Sequence, residues 1–232
     1  MVEDGAGESV PALFLPEYTP VLRDRFAADG YLPLPALVPP EVLPVIDSEV
    51  RRLGKLAVRR DFSMECTDRS PRHMTTLGGH AIAQDSELIP QLYHDEHLLD
   101  LLGRLADVQV VPVSDPLERH VINSLHQQGD THGAHTDDYP LALVLFIEAP
   151  ADPTHGGLLE YAPYAIDLSV LQTNAARRAH HRPGDGYLLR SDTTAHRVAP
   201  LRRPGLRRTV LNFAYTTPGR QRAVTPSASL LY

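Results

Sequence analysis

The sequence has one cysteine, no tryptophan and no long hydrophobic run. The single thiol, Cys66, excludes an internal disulfide and predicts a reducing, cytoplasmic setting. The longest apolar run, LALVLFI at 141–147, is far too short to cross a bilayer, and the acidic opening residues do not have the pattern of a secretory signal. A formal charge of −7 argues against a nucleic-acid partner, because phosphate binding needs a clustered positive surface. A small-molecule partner is therefore expected.

A hydrophobic content of 42% with 22% charged residues is typical of a globular chain. We predict one domain over 1–232, as a monomer or homodimer, with a flexible tail at 1–12 and a mainly helical region at 13–107. One helix is expected after Pro39-Pro40, and a second over 85–106, where leucines form a broad stripe. The segment 60–85 has no clear periodicity and is expected to be a loop.

From residue 108 onward, short β-branched or apolar segments alternate with turn residues. Several short strands separated by glycine, proline and aspartate predict a sandwich or a barrel. Helices first and strands afterwards favour an α+β fold with an antiparallel double sheet at its centre.

Two segments combine histidine with acidic residues at a spacing that suits a metal ion, and they differ in context. His94-Asp95-Glu96 lies in the predicted leucine-rich helix, where a two-residue step turns side chains apart. This segment is interpreted as a solvated helix face. His135-Thr136-Asp137 lies among predicted strands, where residues i and i+2 share one face. An imidazole and a carboxylate there could bind one ion together.

A third ligand is expected from His196, at the start of another predicted strand. Two histidines and one carboxylate are the ligand set of non-haem Fe(II) oxygenases, whereas a structural zinc site takes four ligands, usually with cysteine. His132 is a fourth candidate in principle, but its spacing to His135 suits a helix better than a strand. The predicted metal ligands are therefore His135, Asp137 and His196.

The segment RRTVLNFAY begins with two arginines shortly after His196. An Fe(II) oxygenase that uses 2-oxoglutarate must bind the far carboxylate of this co-substrate, and a bidentate arginine suits that task. Alternation along the strand assigns Arg208 to a small, partly polar face and Arg207 to a bulky apolar face. We favour Arg208 as the anchor and keep Arg207 as the second candidate.

Four motifs together resemble the Fe(II)/2-oxoglutarate-dependent dioxygenases, and a fifth, N-terminal segment resembles the first helices of their phytanoyl-CoA-dioxygenase-like branch. They are HTD at 135–137, GGLLEYAP at 156–163, PGDGYLLRSDTTAHRV at 183–198, RRTVLNFAY at 207–215 and FAADGYLPLPALVPPEVL at 26–43. The resemblance implies a double-stranded β-helix core (a cupin-like jelly roll) with N-terminal helices packed on one sheet. It also implies Fe(II) as cofactor, with 2-oxoglutarate and dioxygen as co-substrates.

A closer resemblance is to small bacterial enzymes that act on free amino acids, the lysine halogenases and their hydroxylating relatives. It implies a set of substrate-binding residues: Arg72, Glu118, His132, Asp138 and Asn212. Glu118 and Asp138 would pair with a side-chain ammonium, and Arg72 and His132 with the α-carboxylate.

Two departures from that group bear on the reaction and the substrate. The halogenases have glycine where this chain has Asp137, so the resemblance implies hydroxylation of an unactivated C–H bond, with release of succinate and CO2. Related enzymes hold the amino acid with tryptophans near the C-terminus, for which Leu231 and Tyr232 are the candidate replacements. The expected substrate is a small free amino acid, with basic ones such as lysine first.

Several alternatives stay open at this stage. The same chemistry could act on another small natural-product precursor, including desaturation or cyclisation, which would use the same residues. A cupin-like domain with a vestigial metal cluster predicts the same fold without turnover. A metal-dependent hydrolase or isomerase on a similar barrel would need neither dioxygen nor the arginine anchor.

Overall fold

The structure is a computed structural model that describes residues 13–222 and 224–232, so the tail predicted at 1–12 lies outside the described residues. Its helices are α1 (Pro20–Asp29), α2 (Leu43–Leu53), α3 (Gly79–Asp85), α4 (Leu88–Tyr93), α5 (Glu96–Ala106) and α6 (Pro226–Leu231). Its strands are β1 (Tyr31–Leu34), β2 (Val58–Met64), β3 (Ser70–Leu77), β4 (Val111–Pro112), β5 (His120–Leu125), β6 (Thr131–His135), β7 (Leu141–Glu148), β8 (Leu159–Ala162), β9 (Arg177–Ala179), β10 (Gly186–Leu189), β11 (Ala195–Val198) and β12 (Arg208–Thr216). Within the described ranges, no helix is long and apolar enough to span a membrane.

The strands form one antiparallel sheet that curls until its two halves face each other. The strand order is β1-β10-β7-β12-β5-β3-β6-β11-β8-β9, with β2 added to β3 and β4 to β12. Strand β3 joins the halves, because Arg72 and His73 pair with β6 while residues 75–77 pair with β5. Side chains from both halves line one cavity. This is a jelly roll of the double-stranded β-helix type, and the predicted α+β fold class is confirmed.

The N-terminal helices pack on the outer face of the half-sheet that contains β12, as predicted. Residues Leu211, Phe213 and Tyr215 of β12 belong to the same buried cluster as Ile46 of α2 and Leu102 of α5. The alternate residues of β12 line the cavity instead: Arg208, Val210, Asn212 and Ala214. Alternation along this strand therefore separates the packing face from the cavity face, as the sequence indicates.

Side-chain caps define where two of the helices begin. The Thr19 side chain accepts a hydrogen bond from the Leu22 amide at the start of α1, where proline takes the first helical position. Asp95 caps α5 in the same way, accepting from the amide of Leu98 at 2.8 Å. Because Asp95 starts a new helix, the single helix predicted over 85–106 is wrong: it is two helices, α4 and α5. The His94-Asp95-Glu96 segment is thus a helix junction.

The predicted loop over 60–85 is also wrong. Most of this segment forms the β2–β3 hairpin and α3. The region 13–107 therefore contains three strands, β1, β2 and β3, among its helices. The buried positions of β3 are Ser70, Arg72, Met74, Thr76 and Leu77, three of which are polar. Hydrophobic alternation was therefore not visible, because the inner face of β3 lines a polar cavity.

Candidate functional site

Two histidines and one aspartate meet at the wall of the cavity. The Oδ1 atom of Asp137 lies 3.3 Å from Nε2 of His135 and 3.7 Å from Nε2 of His196. One donor atom from each of these residues falls within 4.8 Å of the others. The predicted ligands therefore converge, although 61 positions separate the two histidines along the chain (196 − 135).

The pairing of β6 with β11 produces this convergence. His135 is directly opposite His196, and the next pair is His132 with Val198. Between these two pairs the chain advances three residues along β6 but only two along β11. This β-bulge brings His132 and His135 to the same side, where their rings stack with centroids 4.2 Å apart. His132 therefore belongs to a strand, and the argument that its spacing suits a helix is wrong.

Backbone contacts fix the loop and the glycine next to the ligands. The Asp137 amide donates to the Ser191 carbonyl at 2.9 Å, which ties the residue after β6 to the β10–β11 turn. Gly133 approaches β3 so closely that an added Cβ would lie 2.6 Å from the Pro71 carbonyl oxygen. A larger residue there would push apart the strands that position the histidines.

Hydrogen bonds also fix the tautomer of both histidines. The Nδ1 atom of His135 lies 2.7 Å from the Gly133 carbonyl, and that of His196 lies 2.9 Å from the Thr194 carbonyl. Each Nδ1 must donate, which leaves the Nε2 lone pair free for a metal ion. Burial, reinforced by His135, lowers the pKa of His196 to about 4, which keeps its imidazole neutral.

The carboxylate is held in its charged form. Burial raises the pKa of Asp137, but the neighbouring His196 and His135 outweigh it and bring the pKa below the usual value. Two neutral imidazoles and one carboxylate fit a divalent transition metal and leave its other positions open. Among residues 13–222 and 224–232, this is the one group with metal-binding geometry, so His94-Asp95-Glu96 is not part of such a site.

The cavity beside the triad has a volume of about 330 Å³ and contains only one of the two candidate arginines. Arg208 is buried and lines the cavity wall. Arg207 points outward, where its Nε donates to the Glu148 carboxylate at 3.1 Å. The two neighbours therefore occupy opposite faces of the sheet, as alternation along β12 predicts.

Arg208 is a buried cation without a carboxylate partner among the described residues. Its guanidinium carbon lies 4.9 Å from the ring centroid of Phe146, and its Nε has no hydrogen-bond partner. Burial lowers its pKa, while the nearby Tyr187 hydroxyl opposes this change. A buried guanidinium with unused donors fits a carboxylate ligand, because unpaired buried charges are costly.

Arg72 is a second buried cation in the same cavity. Its guanidinium donates to the Ser70 hydroxyl at 2.6 Å and to the Pro71 carbonyl at 3.2 Å, while its Nε has no partner. Burial lowers its pKa to about 10. Neutral acceptors hold Arg72 in place, and no carboxylate in the described part of the chain neutralises it.

Glu118 and Asp138 lie in the cavity wall with different surroundings. The Oε2 atom of Glu118 is buried and unpaired, and burial followed by the nearby Asp138 raises the pKa of Glu118 to about 8. Asp138 accepts a hydrogen bond from Ser227 and lies 4.0 Å from Nη1 of Arg222. Glu118 is therefore the carboxyl group in this pair that lacks a cationic partner.

The remaining sequence-derived residues, His132 and Asn212, also line the cavity. His132 Nε2 and Asn212 Oδ1 are both buried without a partner. Sequence reasoning missed two further residues of the wall, Tyr139 and Tyr187. Tyr187 could have been found by alternation along β10, whereas Tyr139 lies in a loop and gives no periodic signal.

Solved structures of other proteins share the fold of this chain. SnoN, a non-haem α-ketoglutarate-dependent epimerase from nogalamycin biosynthesis, matches with a TM-score of 0.65 and 16% identity over 85% of this chain and 80% of its own. The carbocyclase SnoK from the same biosynthesis matches with a TM-score of 0.66 and 13% identity over 87% and 85%. HygX from Streptomyces hygroscopicus, with nickel and 2-oxoglutarate bound, matches with a TM-score of 0.64 and 11% identity over 87% and 88%. At such identities the likeness shows the fold.

The His-Asp-His triad and a family-model match over most of the chain, on this fold, together define an Fe(II)/2-oxoglutarate-dependent oxygenase, an enzyme that uses iron as cofactor and 2-oxoglutarate as co-substrate. Residues 14–227 match the family model described as Halogenase D. The chain therefore belongs to the Halogenase D family. No curated protein matches the sequence significantly.

Proposed function

We propose that this oxygenase hydroxylates an unactivated C–H bond of a small free amino acid with a cationic side chain, such as lysine, and releases succinate and CO2. The observation that carries the proposal is a pair of unsatisfied buried groups in the cavity of the triad. Arg72 lacks an anionic partner and Glu118 lacks a cationic one. A zwitterion with an additional ammonium supplies both partners.

Iron is held by His135, Asp137 and His196, and the far carboxylate of 2-oxoglutarate by Arg208. The free Nε2 atoms and the unpaired Nε of Arg208 support this assignment. Bound iron supplies, with 2-oxoglutarate and dioxygen, the oxidising power to break a C–H bond. The protein contributes position and a cavity that excludes water, so no side chain is needed as a general base.

The substrate lies beside the metal with its two ends bound by opposite charges. Arg72 and His132 bind the α-carboxylate, and Glu118 with Asp138 binds the side-chain ammonium. Asn212, on the cavity face of β12, offers an unpaired amide oxygen to the substrate. Charge-assisted hydrogen bonds at both ends would fix the carbon presented to the metal.

Hydroxylation is favoured over halogenation by Asp137. A glycine at this position, which the resemblance attributes to the halogenases, would leave a coordination position for chloride. Here the Asp137 carboxylate lies within 3.3 Å and 3.7 Å of the two histidine nitrogens and takes that place. The reaction is proposed to occur in the cytoplasm, where the exposed thiol of Cys66 stays reduced.

A mass-spectrometric screen of free amino acids tests the function. Reactions contain Fe(II), 2-oxoglutarate, chloride and air, with lysine, ornithine and arginine first. We expect gain of one oxygen atom, coupled to succinate formation, and no product with the His135→Ala variant.

Other outcomes would change the assignment. A chlorinated product would contradict hydroxylation, and loss of two hydrogen atoms would indicate desaturation or cyclisation. Absence of succinate with every amino acid would contradict the substrate class.

A further inference from the structure

Tyr139 has a buried hydroxyl group that no contact within the described chain satisfies. The residue is 2% exposed and lines the cavity of the triad. Its backbone carbonyl accepts from the Ser191 hydroxyl at 3.0 Å, which fixes its position, but its own hydroxyl has no hydrogen-bond partner. A buried hydroxyl without a partner costs free energy, so a ligand that pairs with it would be stabilised.

The sheet register brings Tyr139 near Glu118. Tyr139 lies just before Leu141, which pairs with Tyr215 of β12. Glu118 lies just before His120, which pairs with Phe213 of the same strand. Both side chains therefore approach the cavity from the same end of the sheet.

The surroundings of Tyr139 are acidic. Burial raises its pKa, and the nearby carboxylates of Asp115, Glu118 and Asp138 raise it further, so the phenol stays protonated. Asp115 has its own unsatisfied atom, because Oδ1 accepts from the Leu117 amide while Oδ2 is buried and unpaired. No hydrogen bond joins this oxygen to the Tyr139 hydroxyl, so the phenol group is free to pair with a ligand.

A primary ammonium has three donors and no acceptor. This end of the cavity offers a complementary set of acceptors: Glu118, Asp138 and the Tyr139 oxygen. A side chain that ends in a methyl group would leave Glu118 and Tyr139 unsatisfied, and a quaternary ammonium would bring no N–H donor.

We propose that Tyr139 is a substrate-binding residue whose oxygen accepts a hydrogen bond from the side-chain ammonium of the amino acid. The inference rests on the proposed function and makes the site selective for a primary ammonium. Tyr139 then determines specificity at the end of the cavity where Glu118 supplies the charge.

The test compares L-lysine with L-norleucine, which has the same carbon chain without the ammonium. Dissociation constants are measured by calorimetry under anaerobic conditions, with Fe(II) and 2-oxoglutarate bound. Tyr139→Phe should weaken lysine binding by about tenfold or more, as expected for a lost hydrogen bond to a charged group, and leave norleucine binding unchanged. The matched control is Tyr164→Phe, which removes the hydroxyl of an exposed tyrosine outside the cavity. Thermal unfolding of each variant shows whether the fold is retained.

The outcomes distinguish a failure of the role of Tyr139 from a failure of the proposed function. If the wild-type protein binds lysine and Tyr139→Phe binds it equally well, the role of Tyr139 is wrong and the function stands. Equal losses for lysine and norleucine would mean that Tyr139 only fills space. If the wild-type protein binds no basic amino acid, the proposed substrate class and the inference are both wrong.

Discussion

At one end of the cavity Arg208 lies against the ring of Phe146, a buried cation with unused donors. At the other end the buried carboxyl group of Glu118 faces Asp138 and Asp115, which have the same charge. The register of β12 with β5 separates the two ends: Arg208 pairs with Leu125, and Phe213 with His120. Five residues of strand span roughly 17 Å.

This difference indicates that the Arg208 end of the cavity suits an anionic ligand and the Glu118 end a cationic one. An isolated buried charge is expensive: Arg208 has no partner of opposite sign in the described chain, and the raised pKa of Glu118 keeps its carboxyl group protonated near neutral pH. The triad belongs to the same cavity wall, so a dicarboxylate at one end and an ammonium at the other can both approach the metal. The binding site for an anion and the binding site for a cation thus lie at different ends of one cavity.

The largest expected effect follows from removing the metal centre that the two ends share. Asp137→Ala deletes the one anionic ligand, so iron binding and succinate formation should fall by a factor on the order of a thousand. The measurement is the visible charge-transfer band that anaerobic Fe(II) and 2-oxoglutarate give with the wild-type protein. His135→Ala should lose the same band, and an identical spectrum in all three proteins would contradict the ligand assignment.

The next effect tests the cationic end. Arg208→Ala removes a bidentate partner of 2-oxoglutarate and should raise the apparent Kd of the co-substrate by about a hundredfold. Titration of the same absorption band measures it.

Arg207→Ala is the matched control on the same strand. Its ion pair with Glu148 is on the outer surface, so the affinity should change by less than about threefold. If Arg207→Ala weakens 2-oxoglutarate binding more than Arg208→Ala does, Arg207 is the anchor of the co-substrate. The contrast between the two cavity ends would then be wrong.

The smallest effect tests the acidic end through stability. The pKa of Glu118 is about 8 in the folded protein, against an ordinary value of 4.5. Its favourable contribution to folding stability is therefore complete below pH 4.5 and is lost as the pH rises through 8. Glu118→Gln stays neutral at every pH. In metal-free protein, the variant should match the wild-type Tm at about pH 5 and exceed it by roughly a few degrees at about pH 8.5.

Calorimetric or fluorescence melting at both pH values gives the answer. Glu41→Gln, at an exposed glutamate before α2, serves as the control and should show no such pH-dependent gain. A Tm difference that is the same at both pH values would mean that ionisation of Glu118 is not the cause.

Much of the metal site could be predicted from the sequence because its residues obey short-range rules. His135 and Asp137 are two positions apart beside a strand, and alternation along β12 separates Arg208 from Arg207 without knowledge of any neighbour. These relations depend only on the geometry of an extended chain.

The β2–β3 hairpin could not be predicted from periodicity. Its inner face includes Arg72 and Ser70, so the buried positions are polar and resemble a loop. Burial there is favourable only because β3 lies between β5 and β6 and lines the cavity. The break between α4 and α5 was missed for a related reason, since the leucine stripe continues across the Asp95 cap.

By itself, the sequence determined which side chains could bind a metal ion and on which face of β12 Arg208 lies, because side-chain direction alternates along any extended strand. Only the tertiary structure decided the bulge that stacks His132 on His135, the register that sets His196 opposite, and the unpaired hydroxyl of Tyr139. Those features arise from pairing between distant segments, and no local pattern encodes which strands meet.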